Sequence, residues 1–186
     1  MAMPAVSQPV TTIEELLALP EDGQRHELLD GVHAVTPGPT YGHQHVLSRL
    51  FSALVEALKE RSDLEVLSSP ADLVLAPRTL VQPDLFVLRV DPEALPKGWQ
   101  DVGVPVLAIE ILSPGTAARD RGIKRRIYQR AGVAEYWIVD IDARLMERWR
   151  PDDLRPEILD ATATWGPDGE PLLSVDLANI FGPLQF

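Results

Sequence analysis

The sequence predicts an α/β protein (α+β mixed) in which a mixed β-sheet is flanked by helices. Three observations carry this. The stretch "VLAIEILS" (106–113) is apolar on both faces, as a strand in the interior of a sheet must be. Residues 41–61 repeat apolar side chains at helical spacing. Helix-like and strand-like stretches also alternate along the chain in the order α-β-β-α-β-β-β-α-β-β.

In chain order, "TTIEELLALP" opens with a Thr-x-x-Glu capping box, Thr12 and Glu15, and reads as a short helix. "RHELLDGVHAVTP" alternates around Asp30-Gly31, the strongest short-range hairpin signal. In "YGHQHVLSRLFSALVEALKER", Val46, Leu47, Leu50, Leu54, Val55 and Leu58 fall on one side of a long amphipathic helix. "LEVLSSPADLVLAP" and "TLVQPDLFVLRV" read as two strands joined at Pro77-Arg78. A Pro/Gly-rich loop (91–105) precedes the apolar central strand. Residues 117–131 then read as a helix ended by Gly132, and "EYWIVDIDARLMERWRP" as a strand, a tight turn near Asp142 and a second strand. The remainder is turn-rich, with "GPDGEPLLSVDL" suggesting a further hairpin or a short strand and loop. One domain over 1–186 is expected, with its core at about 13–150 and a C-terminal turn-rich extension at 151–186.

Composition narrows the function classes. The chain has 186 residues, 45% of them hydrophobic and 24% charged, ordinary for a globular protein. No run approaches the roughly 20 apolar residues of a membrane span, and the first twenty residues lack a basic stretch followed by an apolar one. Without cysteine there is no disulfide framework and no thiolate metal site. The expected location is cytoplasmic. A net charge of −11 argues against a protein that merely coats nucleic acid. Residues 119–130, however, carry Arg119, Arg121, Lys124, Arg125, Arg126 and Arg130 against Asp120 alone, a basic stretch on an acidic body.

Three acids interrupt strand-like runs: Glu27, Asp84 and Glu110. A carboxylate in an apolar strand costs several kcal/mol unless something compensates it. Two such groups on neighbouring strands repel unless a cation or proton lies between them, and a hard divalent ion with oxygen ligands is an economical solution. Pairing with arginine or with backbone N–H groups is the structural alternative. On the following helix, Asp120, Lys124, Ile127, Tyr128 and Ala131 share one face. Lys124 therefore points inward with a packed stem, either in a buried Lys–Glu ion pair or beside a metal and a reacting water.

"HELLDG", "HQHVLSRL", "VQPDLFVL", "LAIEILSPGT…D…K…Y" and "AGVAEYWIVD" resemble the Uma-type family assigned as bacterial endonucleases, within the PD-(D/E)xK restriction-endonuclease-like superfamily. The resemblance runs from about Ile13 to Arg150 with the motifs in order. It implies an αβββαβ nuclease core and a Mg²⁺ or Mn²⁺ site. Asp84 and Glu110 match the metal-binding acids, Glu27 the upstream acid that would complete the metal's ligand set directly or through water, and Lys124 the inward lysine. The superfamily's lysine usually stands two residues after the acid, where this chain has Leu112, so Lys124 would have to reach back from the helix. The implied activity is metal-dependent hydrolysis of phosphodiester bonds in DNA; on strand geometry the backbone carbonyl of Ile111 is a further candidate ligand. The alternative is a catalytically inactive nuclease-fold binding or interaction module. A homodimer is expected by analogy, because a duplex presents two strands to be cut.

Weaker signals surround these residues. His43, Arg121 and Arg125 are candidate nucleic-acid contacts, against capping or plain solvation of a helix face. Asp120 could hold Lys124 or Arg119. Ser113 could support Glu110, and Tyr136 and Trp137 read as core or interface residues.

Overall fold

In the computed structural model, the described residues are 9–167 and 169–182. The expectation that no leader is present rests in part on residues 1–8, which lie outside them. Among the described residues no helix is long and apolar enough to cross a membrane.

The chain opens with α1 (Ile13–Leu17), whose Thr12 and Glu15 form the reciprocal capping box read from the sequence. β1 (Arg25–Leu29) and β2 (Val32–Thr36) form the expected hairpin, with Asp30 and Gly31 both at positive φ, 54° and 84°, as its two-residue turn requires. α2 (Tyr41–Leu58) buries Val46, Leu50, Leu54 and Leu58 at four-residue spacing. Val55, expected on that face, is 45% exposed, because the apolar stripe follows the i, i+4 row and leaves it on the flank.

The next region differs from the expectation of two strands. It forms four: β3 (Leu64–Ser68), β4 (Leu73–Ala76), β5 (Thr79–Val81) and β6 (Leu85–Arg89). Pro70 and Pro83, which have no N–H to give a ladder, break each long apolar run in two. β4 and β5 join β1 and β2 in a four-stranded sheet of order β2-β1-β5-β4. β3 and β6 instead belong to a six-stranded sheet of order β10-β9-β8-β7-β6-β3, built with β7 (Leu107–Ile111), β8 (Glu135–Asp140), β9 (Leu145–Trp149) and β10 (Glu157–Leu159). Only β7–β8 is parallel in that sheet, and the helical run at 117–131 makes its crossover. α2, β3, β6, β7, this run and β8 supply the αβββαβ order, with β4–β5 as an inserted hairpin.

The crossover itself is not a uniform helix. α3 (Ala117–Arg119) passes into a π-helical turn (Asp120–Lys124) and then α4 (Arg125–Ala131), which ends at Gly132 with φ 82°. In the tail, β11 (Thr162–Trp165) and β12 (Leu173–Asp176) form a separate hairpin, followed by α5 (Leu177–Phe181). Ala163, Trp165, Leu173, Leu177, Ile180 and Phe181 share one apolar cluster with the buried face of α2.

Strand pleating divides the six-stranded sheet into two faces. Leu107, Ile109 and Ile111 of β7 join the α2 cluster, while Ala108 and the following Leu112 join a second cluster with Ile127 and Tyr128 of α4. Leu29, Leu73 and Val81 of the smaller sheet enter that second cluster. It is therefore a layer enclosed between two sheets and a helix, and Glu110 points into it by the same alternation.

Candidate active site

Parity along the strands explains why the charges converge. Arg25, Glu27 and Leu29 alternate onto the inner face of β1; Asp84 stands just before β6 in register with Phe86 and Leu88; Glu110 lies between Ala108 and Leu112. All these acids are buried: Glu27 is 0%, Asp84 2% and Glu110 2% exposed.

Lys124, 1% exposed, comes down from the end of the π turn between two of them. Its Nζ lies 2.5 Å from Glu110 Oε1 and donates to Glu27 Oε1 at 2.8 Å. Glu27 Oε1 also accepts from the Gln82 N–H at 2.8 Å, and the Tyr128 hydroxyl donates to Glu110 Oε1 at 2.9 Å. One ammonium thus serves two carboxylates from two different sheets. A π turn takes one more residue than an α turn, so it resets the register between the residues before and after it. Asp120 (2% exposed) and Lys124 lie within this turn and both face inward, as their i, i+4 spacing expects.

Asp84 has different partners. Its Oδ1 accepts from Arg25 Nη1 at 2.6 Å; its Oδ2 meets His43 Nε2 at 3.0 Å and accepts from the Ile111 N–H at 2.8 Å. The last contact ties Asp84 to the end of β7, one residue from Glu110.

Titration behaviour follows from this unequal supply of cations. Burial pushes the Glu110 carboxyl up to about 8; the Lys124 charge opposes this, and Asp84, Asp120 and Glu27 reinforce it. Burial also disfavours the charged form of Asp84, but the His43 hydrogen bond, the His43 and Arg25 charges and the Ile111 N–H hold it at about 2. Burial works against the Lys124 ammonium, yet Glu110 and Glu27 raise its pKa above the ordinary lysine range. Asp120 is raised by burial against the pull of Lys124.

Asp84, Glu110, Asp120, His43, Arg25 and Arg119 line one open cleft of about 730 Å³. Glu27 and Lys124 do not line it, and lie beneath its floor as a buried pair. Arg121 and Arg125 are also absent from its lining. Arg121 is held by Asp140 at 2.7 Å and Glu147 at 2.6 Å, and Arg125 lies over the Trp149 ring and donates to Gln129. The arginines at the cleft are Arg25 and Arg119, and Arg119 donates to the Thr36 hydroxyl at 2.6 Å. Sequence reading passed over Arg25, although its place two residues before Glu27, on the same strand face, was the available signal. Tyr136 and Trp137 are core residues, 1% and 0% exposed.

Among the described residues, no three acid or histidine groups converge on one point that could hold a metal ion. Asp84 and Glu110 nonetheless give two hard oxygen donors in one cleft, side by side through the Ile111 amide, and Glu110 is short of positive charge. That donor set fits Mg²⁺ or Mn²⁺ held by one or two carboxylates, with water and substrate phosphate completing the shell. An ion there would replace the Arg25 or His43 contact to Asp84.

Comparisons with known proteins agree with this architecture. A crystal structure from Anabaena variabilis, described as "a putative nuclease belonging to DUF820", superposes with a TM-score of 0.78 at 20% identity, covering 91% of this chain and 97% of that one. At that identity the likeness is one of fold. The "Uncharacterized protein slr1290" of Synechocystis sp. is 31% identical over 127 residues, 67% of this chain. The matched stretch spans 65% of that relative's length. The profile of the Uma2 family, described as "Putative restriction endonuclease", matches residues 13–178, and the chain belongs to that family.

Proposed function

We propose that this protein is a metal-dependent endonuclease that hydrolyses phosphodiester bonds in DNA. The observation that carries the reading is the buried Lys124 ammonium, shared by Glu27 and Glu110 directly beneath a cleft lined by Glu110 and Asp84. Burying three charges is costly, and replacing such a group with apolar side chains is often neutral or stabilising. Packing alone does not call for it.

Asp84 and Glu110 would hold the ion, which when bound supplies polarisation of the phosphoryl oxygen and a lowered pKa for water. Lys124 offsets the negative charge that builds on the phosphoryl group as water attacks phosphorus and the P–O ester bond breaks. Glu27, pinned by the Gln82 N–H, holds Lys124 in place, and Tyr128 fixes the Glu110 carboxylate. In this reading Glu27 is a positioning residue and not a ligand. Whichever of Arg25 and His43 an ion would displace from Asp84 would then be free to meet the phosphate.

The test is plasmid and oligonucleotide DNA incubated with Mg²⁺ or Mn²⁺. Cleavage should fall about 100- to 1000-fold in Asp84→Ala, Glu110→Gln and Lys124→Met. That is the scale on which losing a group of the transition-state machinery acts. Equal product from wild type and Asp84→Ala would show the activity to be foreign.

One observation favours a second reading, a non-catalytic nuclease-fold binding module: both Asp84 oxygens already have protein partners. That reading requires no Mn²⁺ binding by calorimetry, whereas the enzyme reading requires binding that Glu110→Ala abolishes. A cytoplasmic location belongs to the same proposal. So does a homodimer.

A further inference from the structure

Beside the cleft lies a second groove of about 910 Å³, lined among others by Tyr41, His45, Arg49 and Arg121. Thr40, Ser113 and Pro114 line both, so the two are continuous across the start of α2 and the exit of β7. Each carries an exposed aromatic ring. Trp99, 37% exposed, lines the cleft and is supported edge-on by Phe86 at 6.2 Å between centroids. Tyr41, 80% exposed, lines the second groove 6.0 Å from the His45 ring. The His45 Nε2 atom is buried without a hydrogen-bond partner.

Apart from Arg25 beside Asp84, the arginines of this path are already engaged: Arg49 donates to the Asn179 carbonyl, Arg119 to Thr36, and Arg121 to Asp140 and Glu147. Duplex DNA is held chiefly by neutralising phosphates with lysine and arginine, and its base faces are hidden within the stack. A path with committed arginines and two exposed rings suits the opposite case. Unstacked bases present their π-faces, and stacking on aromatic side chains carries affinity without sequence preference.

Building on the phosphodiesterase reading, we infer that the substrate class is single-stranded or locally unpaired polynucleotide, bound along both grooves with one base on Trp99 and another on Tyr41. The strand crosses from cleft to groove at Thr40, Ser113 and Pro114, which brings its backbone past Asp84 and Glu110. Fractional exposure provides a reporter. Trp137, Trp149 and Trp165 are 0%, 8% and 3% exposed, so contact quenching of tryptophan emission reports Trp99.

The probes are a hydrolysis-resistant phosphorothioate strand of twelve deoxythymidines and a duplex of the same length, titrated in Mg²⁺. The single strand should quench emission and bind at least about tenfold more tightly than the duplex, in line with the usual strength of base–aromatic stacking. Trp99→Leu should lose the quench and about tenfold in affinity; Tyr41→Ala should lose about as much affinity and keep the quench. Duplex binding as tight as single-strand binding, or wild-type affinity in both variants, overturns the inference. Wild-type hydrolysis of bis(p-nitrophenyl) phosphate, too small to span the grooves, reports on the acids separately. Hydrolysis without strand preference removes this inference and leaves the phosphodiesterase; strand preference without hydrolysis does the reverse.

Discussion

The two faces of the six-stranded sheet are buried to the same depth and filled in opposite ways. Beneath α2, Leu85, Val87, Leu107, Ile109, Trp137 and Val139 meet Val46, Leu50 and Leu54 in a hydrocarbon layer. Arg148 stands at its border, 5.6 Å from the Trp137 ring centroid. On the other face, apolar neighbours such as Phe86, Ala108, Ile138 and Tyr128 surround Glu27, Asp84, Glu110, Asp120 and Lys124. The first face shows what the fold needs, since hydrophobic burial and close packing account for it. The second keeps charges that must be desolvated and does so with fewer cations than carboxylates. Packing alone does not account for its composition, and its stability depends on every charge keeping its partner.

The comparison is broken most directly at Lys124. Lys124→Met leaves Glu27 and Glu110 buried without their cation, and should cost about 3–5 kcal/mol in urea unfolding. The triple variant Glu27→Gln, Glu110→Gln, Lys124→Met should recover most of that loss while remaining inactive. A single variant as stable as wild type would show that water reaches the pair. On the apolar face, Leu54→Ala should cost about 2–5 kcal/mol by transfer and cavity terms. No companion substitution of charge should rescue it.

Between these lies a pH effect confined to the charged face. In chelator-treated protein, burial holds the folded-state pKa of Glu110 at about 8 against an ordinary 4.5, so the folded chain keeps a proton that the unfolded chain has released. Its contribution is complete below about 4.5 and is lost as pH rises through 8. Asp84, lowered to about 2 from 3.8, works in the other window: its contribution is present above 3.8 and is lost as pH falls through 2. Melting temperature followed from pH 4.5 to 8 should therefore decline, and Glu110→Gln should flatten that decline. Leu54→Ala should shift the curve without changing its shape.

The smallest expected effect is at Arg121, whose side chain is 39% exposed despite its ion pairs with Asp140 and Glu147. Arg121→Ala should change stability by less than about 1 kcal/mol, because exposed pairs are screened and ordering them costs entropy. A larger loss would mean that the rim contributes as much as the interior.

Local regularities were legible in the chain itself. The capping box at Thr12, the turn at Asp30-Gly31, the central placement of "LAIEI" and the inward direction of Lys124 follow from periods of 2 and 3.6 residues and from turn chemistry. These are properties of backbone geometry over a few residues. The family resemblance added which acids to watch. Tertiary structure alone decided how they pair. Lys124 on the helical crossover and Glu27 on β1 are 97 residues apart, and Arg25 on β1 and Asp84 just before β6 are 59 apart. No spacing rule links them, because their distance depends on where two sheets stack. The same holds for the sheet that each of the four strands between 64 and 89 joins. Periodicity assigns each side chain a face; only the crossing of distant segments determines what that face meets.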